Sequence, residues 1–235
     1  MPTTPHIVFI PGLLCTGELY TAQIAALGTR IRYSIANHGG HNEIRNCAAA
    51  ILDRAPEKFI PVGLSMGGYI LLELLRQAPE RIERFVIIDS SAAPDAPEQG
   101  DKRRAMIELA KTDGMDAVAE ALVPSMLGRS NRQDEDLLGL MYDMARDTGP
   151  ERFEFQQNMI MSRVDSRPDL PACEMPGLVI VGEEDVLTPI ARAEEMLEAL
   201  PNAELAVIPQ AGHLSPIESP EAVTAALEDF LFGDD

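Results

Sequence analysis

Three residues of the chain have the types that nucleophilic acyl chemistry needs. Ser65 lies between glycines in Gly63-Leu64-Ser65-Met66-Gly67, His213 lies in the loop Gly212-His213-Leu214, and Asp185 lies just past an apolar run. A serine hydroxyl is protonated at neutral pH and attacks poorly until a base takes its proton. His213 is the candidate base. Asp185 is the candidate acid that orients the imidazole and stabilises the imidazolium, and the chain order is Ser, Asp, His. Taken singly, Ser65 also fits a helix N-cap, Asp185 a helix cap and His213 a plain loop residue. Those separate readings leave unexplained why all three follow apolar runs in this order. Asp89 too ends an apolar run.

The elements that must position these residues are legible around them. His6 to Ile10 is a β-branched and aromatic run stopped by Pro11-Gly12, which predicts a buried strand entering a loop. Further strands are expected at Arg30 to Ile35, Lys58 to Val62, Phe85 to Ser90, Leu178 to Val181 and Leu205 to Ile208. Helical segments separate the first four, over Glu18 to Leu27, Glu43 to Asp53 and Tyr69 to Gln77. Alternation at these separations predicts right-handed crossovers and a parallel sheet covered on both faces. The strand to Val62 and the helix from Tyr69 make the glycine-flanked serine a sharp strand-to-helix turn, with the Met66 amide at the positive end of a helix. That amide is one candidate oxyanion donor, and the Leu13 amide in the loop after the first strand is the other. The candidate substrate contacts are Leu14, Leu64, Met126 and Leu214.

From Ala92 to about Cys173 no strand is expected. Helical spacing recurs at Met115, Val118, Ala119, Leu122 and Val123, and again at Leu137, Leu140, Met141, Met144 and Ala145, with a third helix over Glu151 to Ser162. The segment 94–172 therefore reads as a helical insertion between two parts of a core, 1–93 and 173–235. Seven of the chain's 11 methionines lie in it, which suits either an adaptable lid over a pocket or ordinary helix core. Lys102-Arg103-Arg104 is a local basic cluster that fits a solvated helix face or a contact for an anionic substrate group. Thr188-Pro189 reads as a helix start.

A formal net charge of -19 argues against nucleic-acid partners and against attachment to anionic membranes. Three scattered cysteines, Cys15, Cys47 and Cys173, lack metal-ligand spacing and suit a reducing compartment. With no basic region in Met1 to Pro5 and only a short apolar run after it, the expectation is a cytoplasmic protein without an export signal. His38 and His41 share a glycine-rich loop with no nearby third ligand, so a metal pair is not expected there. Cys15 lies near the candidate oxyanion loop, where it is either a buried packing residue or a reactive thiol.

On Pro11-Gly12-Leu13, Gly63-Leu64-Ser65-Met66-Gly67-Gly68, Gly182-Glu183-Glu184-Asp185 with Pro189, and Gly212-His213, the chain resembles the α/β-hydrolase superfamily over essentially its whole length. The resemblance implies Ser65 as nucleophile, His213 as general base and acid, Asp185 as orienting acid, and the Leu13 and Met66 amides as oxyanion hole. It also implies a helical cap over 94–172 and chemistry that needs no metal or organic cofactor. It makes Asp89 a rival acid, because some members carry theirs after that strand, though Asp185 has the better motif. Two departures stand out. Pro11-Gly12 replaces the family's His-Gly, and the two antiparallel strands that usually open the fold are missing, so a mostly parallel sheet of about six strands is expected, with an edge that a second subunit in a homodimer would cover. The expected activity is hydrolysis of a small or medium apolar carboxylic ester. The same triad also serves thioesters, amides, lactones, C-C bonds and cofactor-free perhydrolysis, and a non-catalytic binding protein is the reading from another class.

Overall fold

The computed structural model describes residues 4–233; Met1 to Thr3 and the last two positions of the expected core lie outside the described residues. Six strands form one sheet: β1 (His6–Ile10), β2 (Arg32–Ile35), β3 (Ile60–Leu64), β4 (Phe85–Ile88), β5 (Gly177–Gly182) and β6 (Ala203–Ile208). Their spatial order is β2-β1-β3-β4-β5-β6, and every pair is parallel. The expected six-stranded sheet is thus observed, and it is wholly parallel.

Side chains alternate across the strands. Ile7, Phe9, Val62, Val86, Ile88, Leu178 and Ile180 enter one buried cluster, whereas Val8, Ile10, Phe85, Ile87, Val179 and Val181 enter the other. Helices α1 (Thr21–Leu27) and α8 (Pro220–Phe232) cover the first face, with Leu27, Val223 and Leu227 buried there. Helices α2 (Ile44–Leu52), α3 (Met66–Gln77) and α7 (Ile190–Ala199) cover the second. Burying one such apolar side chain is worth about 1.5–3 kcal/mol, so the continuous apolar runs are what fix the central strands. At the edge, all four residues of β2 are exposed.

Between β4 and β5 the chain forms α4 (Gln99–Thr112), α5 (Gly114–Met126) and α6 (Glu135–Ser162). Helix α6 breaks at Gly149, whose φ is 69°, just before Pro150, so the expected third helix is its second half. Helix α4 has no apolar stripe comparable to the others and carries Lys102-Arg103-Arg104, which is why periodicity does not reveal it. Met115, Val118, Val123, Met141, Met144 and Phe153 join the same cluster as Phe9 and Val62. The inserted helices therefore share the core of the sheet. Among the described residues no helix is long and apolar enough to cross a membrane.

Candidate active site

Strand β3 ends with Gly63 and Leu64, and at Ser65 the backbone turns to φ 53° and ψ -112° before α3 begins at Met66. A positive φ at a residue with a side chain is strained and persists only where the surroundings over-determine it. Here the Ser65 amide donates to the Ile88 carbonyl at 2.9 Å, and the Ser90 hydroxyl donates to the Ser65 carbonyl at 2.8 Å. Leu14 and Asp89 also have positive φ, 62° and 44°. Strain is thus concentrated where β1, β3 and β4 end. The Leu14 amide donates to the Gln156 side chain at 3.1 Å, tying the loop after β1 to α6. The neighbouring Leu13 amide and the Met66 amide have no hydrogen-bond partner among the described residues.

His213 and Asp185 meet Ser65 from the ends of β6 and β5. His213 Nε2 lies 2.8 Å from Ser65 Oγ, and His213 Nδ1 lies 2.8 Å from Asp185 Oδ2. A carboxylate only accepts, so the Nδ1 proton points at Asp185 and Nε2 is left to accept from the Ser65 hydroxyl. Asp185 is itself fixed by the amides of Leu187 and Thr188 at 2.8 and 3.0 Å and by the Thr188 hydroxyl at 2.6 Å. Thr188, which reads as a helix start in the sequence, is therefore a partner of Asp185 and lies 3.2 Å from His213 Nδ1. The helix begins two residues later, at Ile190, and no side chain caps it.

Burial pushes the Asp185 carboxyl up, but the His213 charge and the hydrogen bonds from His213 and Thr188 outweigh this and hold it below the usual carboxylate range. Burial pushes His213 down, but Asp185 first, then Asp89 and Glu218, outweigh it and raise the imidazole above its ordinary value. Asp89 is wholly buried, and burial together with the Asp185 charge raises it to about 7. It makes no hydrogen bond to His213. Its oxygens instead accept from the Gly182 amide at 2.7 Å, the Ser215 amide at 3.1 Å and the Ser215 hydroxyl at 2.6 Å, so Asp89 clasps the loops that carry the other two residues. Glu218 acts similarly, accepting from the amides of Gly212, Leu214 and Gly128. The His213 amide donates to the Met126 carbonyl at the end of α5, at 2.9 Å.

Ser65 and His213 open on a cavity of about 280 Å³. Leu13, Leu122, Met126 and Ile160 give it an apolar wall. Of the four expected substrate contacts, only Met126 lines it. Leu14, Leu64 and Leu214 are at most 1 % exposed and belong to the core cluster, because side chains adjacent in sequence to a site residue on a strand or tight turn point elsewhere. The remaining wall is more polar than an apolar-ester pocket suggests, with Asp95, Arg103, Arg163 and Arg192. Arg103 belongs to the basic cluster, whereas its neighbour Arg104 is on the solvated side and pairs with Asp101. Cys15 is buried, its thiol pushed up to about 12 by burial, and its Sγ donates to the Leu13 carbonyl at 3.3 Å, which identifies it as packing rather than a reactive thiol. His38 is buried in a separate cavity beside Arg152.

The chain is 26% identical over 240 residues to a pimeloyl-[acyl-carrier protein] methyl ester esterase of Nitrosomonas europaea, covering 95% of this chain and 94% of that one. Among solved structures it is similar to a thermophilic esterase from Thermogutta terrifontis, determined with malate bound, with a TM-score of 0.89 at 28% identity, covering 97% of this chain and 90% of the other. It is also similar to the enol-lactonase from Burkholderia xenovorans LB400, with a TM-score of 0.88 at 27% identity, covering 98% of this chain and 92% of that one. The profile of the alpha/beta hydrolase family matches residues 7–226, and the chain belongs to that family.

Proposed function

We propose that the chain is a serine hydrolase that cleaves a carboxylic ester through an acyl-enzyme, with Ser65 as nucleophile, His213 as general base and acid, and Asp185 as the orienting acid. One observation carries this reading: the unbroken relay from Ser65 Oγ to His213 Nε2 and from His213 Nδ1 to Asp185 Oδ2, each step 2.8 Å. The names of the relatives, two esterases and an enol-lactonase, support an ester or lactone as substrate. His213 takes the hydroxyl proton as Ser65 Oγ bonds to the acyl carbon. The resulting oxyanion sits against the amides of Leu13 and Met66. Such a donor pair, aimed at charge that appears only in the transition state, is worth about 3 kcal/mol per donor. His213 then gives its proton to the alcohol oxygen, which leaves, and a water molecule repeats the sequence to release the acid.

Residues of the segment 94–172, including Leu122, Met126 and Ile160, line the cavity beside Ser65, which supports its reading as a cap. Their apolar wall suits the methylene part of a small or medium acyl chain. Each step uses only side chains and amides already named, so the reaction asks for no cofactor. The test is a chain-length series of p-nitrophenyl esters combined with a fluorophosphonate label. Turnover of at least one ester, with the label mapped to Ser65 by mass spectrometry, is the expected result; an unlabelled Ser65 in folded protein sinks the reading.

The pH profile follows from the relay. His213 must be neutral to take the serine proton, so kcat/KM rises as pH passes upward through its pKa in the free enzyme. Because Asp185, Asp89 and Glu218 raise that pKa above 6.5, the acid limb is expected to have its midpoint above 6.5. Replacing Asp89 by asparagine removes one of the raising charges and is expected to move the midpoint down. A limb that stays put in Asp89→Asn would show that Asp89 is not felt at the imidazole.

A further inference from the structure

We propose that the acyl chain taken by this cavity ends in a carboxylate, so that the substrate is a monoester of a dicarboxylic acid, and that Arg103 and Arg163 form the subsite for its free carboxylate. This rests on the serine-hydrolase reading for the reaction and on separate residues for the specificity. Arg103 from α4 and Arg163 from the end of α6 line the same cavity as Ser65 and His213, and Asp95 lies between them. Arg103 Nε and Nη2 donate to Asp95 at 2.5 and 3.0 Å, and Arg163 Nη2 lies in an ion pair with it at 2.8 Å. Burial pushes the Asp95 carboxyl up, but these two guanidiniums outweigh it and keep it ionised. Two permanent positive charges therefore face one negative charge.

The surplus is poorly solvated. The side chains of Arg103, Arg163 and Asp95 are 18%, 9% and 12% exposed. A single arginine would neutralise Asp95, and an unmatched charge in so little water is unfavourable unless a partner arrives. The other charged lining residue, Arg192, is itself a cation and cannot supply that partner, and its own charge is paired with Glu195. A substrate anion does.

Donor geometry agrees. A guanidinium has five N–H groups. Arg103 directs two to Asp95 and one to the Gln157 side chain, while Arg163 directs one each to Ala93 O and Ile160 O beside its ion pair with Asp95. Each keeps at least two more, and planar guanidinium forks match carboxylates in a bidentate manner. Arg163 is also stacked on Tyr69, 4.1 Å from the ring centroid, which holds its plane. In a chain of net charge -19, a cationic part of the wall shared with apolar residues gives direction to an otherwise repelled anion: in the proposed pose the methylenes meet Leu122, Met126 and Ile160, the carboxylate the arginines and the ester carbonyl Ser65.

The experiment pairs monomethyl esters of C4 to C8 dicarboxylic acids with the matching methyl esters whose far end is a carboxamide. For at least one chain length, kcat/KM of the wild type is expected to favour the carboxylate by ten-fold or more. Arg103→Gln should reduce that ratio toward one, Arg103→Lys should keep part of it, and Asp95→Asn, which removes the competing anion, should increase it. A merely structural ion cluster would make Arg103→Gln and Asp95→Asn fall together on both substrates, and that result overturns the proposal. So does a wild-type ratio near one throughout. Calorimetric binding of the same ligands to Ser65→Ala needs no turnover and separates the two claims. Anion-selective binding without hydrolysis of either ester keeps the subsite and sinks the hydrolase reading, whereas hydrolysis of the neutral ester without anion preference does the reverse.

Discussion

Ser65→Ala is expected to lower kcat on any ester the wild type hydrolyses by about six orders of magnitude, the size of loss seen when a relay of this kind loses its nucleophile. The reason is not the lost hydroxyl contact but the lost covalent step. Without Oγ, which lies 2.8 Å from His213 Nε2, no acyl-enzyme forms and the remaining groups can only stabilise direct attack by water. His213→Ala is expected to cost about as much, and the double variant no more than either single one, because the residues act as one unit. Asp185→Asn should cost less, roughly 10⁴-fold, through loss of the tautomer that leaves Nε2 free to accept. Stopped assays with p-nitrophenyl esters, at enzyme concentrations high enough to see residual turnover, check all four. A Ser65→Ala protein retaining a hundredth of wild-type kcat would mean that another group performs the chemistry.

Gly67→Ala is expected to abolish the folded protein or destabilise it by more than about 4 kcal/mol, at the extreme of what single substitutions do. A Cβ at residue 67 would overlap the Ile10 carbonyl oxygen and lie 2.8 Å from its carbon and 3.0 Å from the Pro11 carbonyl oxygen. All three atoms are backbone of the central strand β1 and its exit loop, so no side chain can swing aside to relieve them. A Cβ at Gly63 would in turn overlap the Gly67 backbone, so the elbow admits a side chain at neither position. Gly139→Ala is the control. That residue is in α6 with open space around its would-be Cβ, and there alanine should be neutral or stabilise by up to about 1 kcal/mol. Chemical denaturation of the soluble variants measures both. Equal stability of Gly67→Ala and wild type would contradict the packing described around the elbow.

How much of this was legible in the sequence follows from which forces act locally. The strands were readable because a sheet buried on both faces requires unbroken apolar runs, and the turn at Ser65 was readable because only glycines tolerate carbonyls that close. The bounds shifted where pairing decides them: β3 extends through Gly63, which pairs with Ile10 and Ile87. Ser65, Asp185 and His213 could be found because each follows a strand of a parallel sheet and so reaches the same edge. Leu14, Leu64 and Leu214 were sought as substrate contacts from proximity along the chain, and the fold turns them into the core. The residues that shape the cavity instead, Asp95, Arg103 and Arg163, come from separate elements and meet only in three dimensions. Lys102-Arg103-Arg104 carried part of that signal, but nothing in the run distinguishes Arg103, facing the cavity, from Arg104, facing water. Glu218 and Gln156 were invisible for the same reason. The Leu14 amide that Gln156 holds and the Gly128 amide that Glu218 holds are far away in sequence.

His213 reaches Ser65 across 148 positions, and its loop is held by Met126 on one side and Glu218 on the other. During synthesis, therefore, the relay has no precursor. A chain that has emerged only as far as α6 presents β4, with Phe85 to Ile88 buried in the finished protein, as an unpaired apolar edge waiting for β5 to arrive from beyond the inserted helices. Long-range parallel pairing of this kind is slow, and such an edge is where nascent chains associate wrongly. Esterase activity in a translation mixture would consequently report not the presence of the serine but the docking of the last strand.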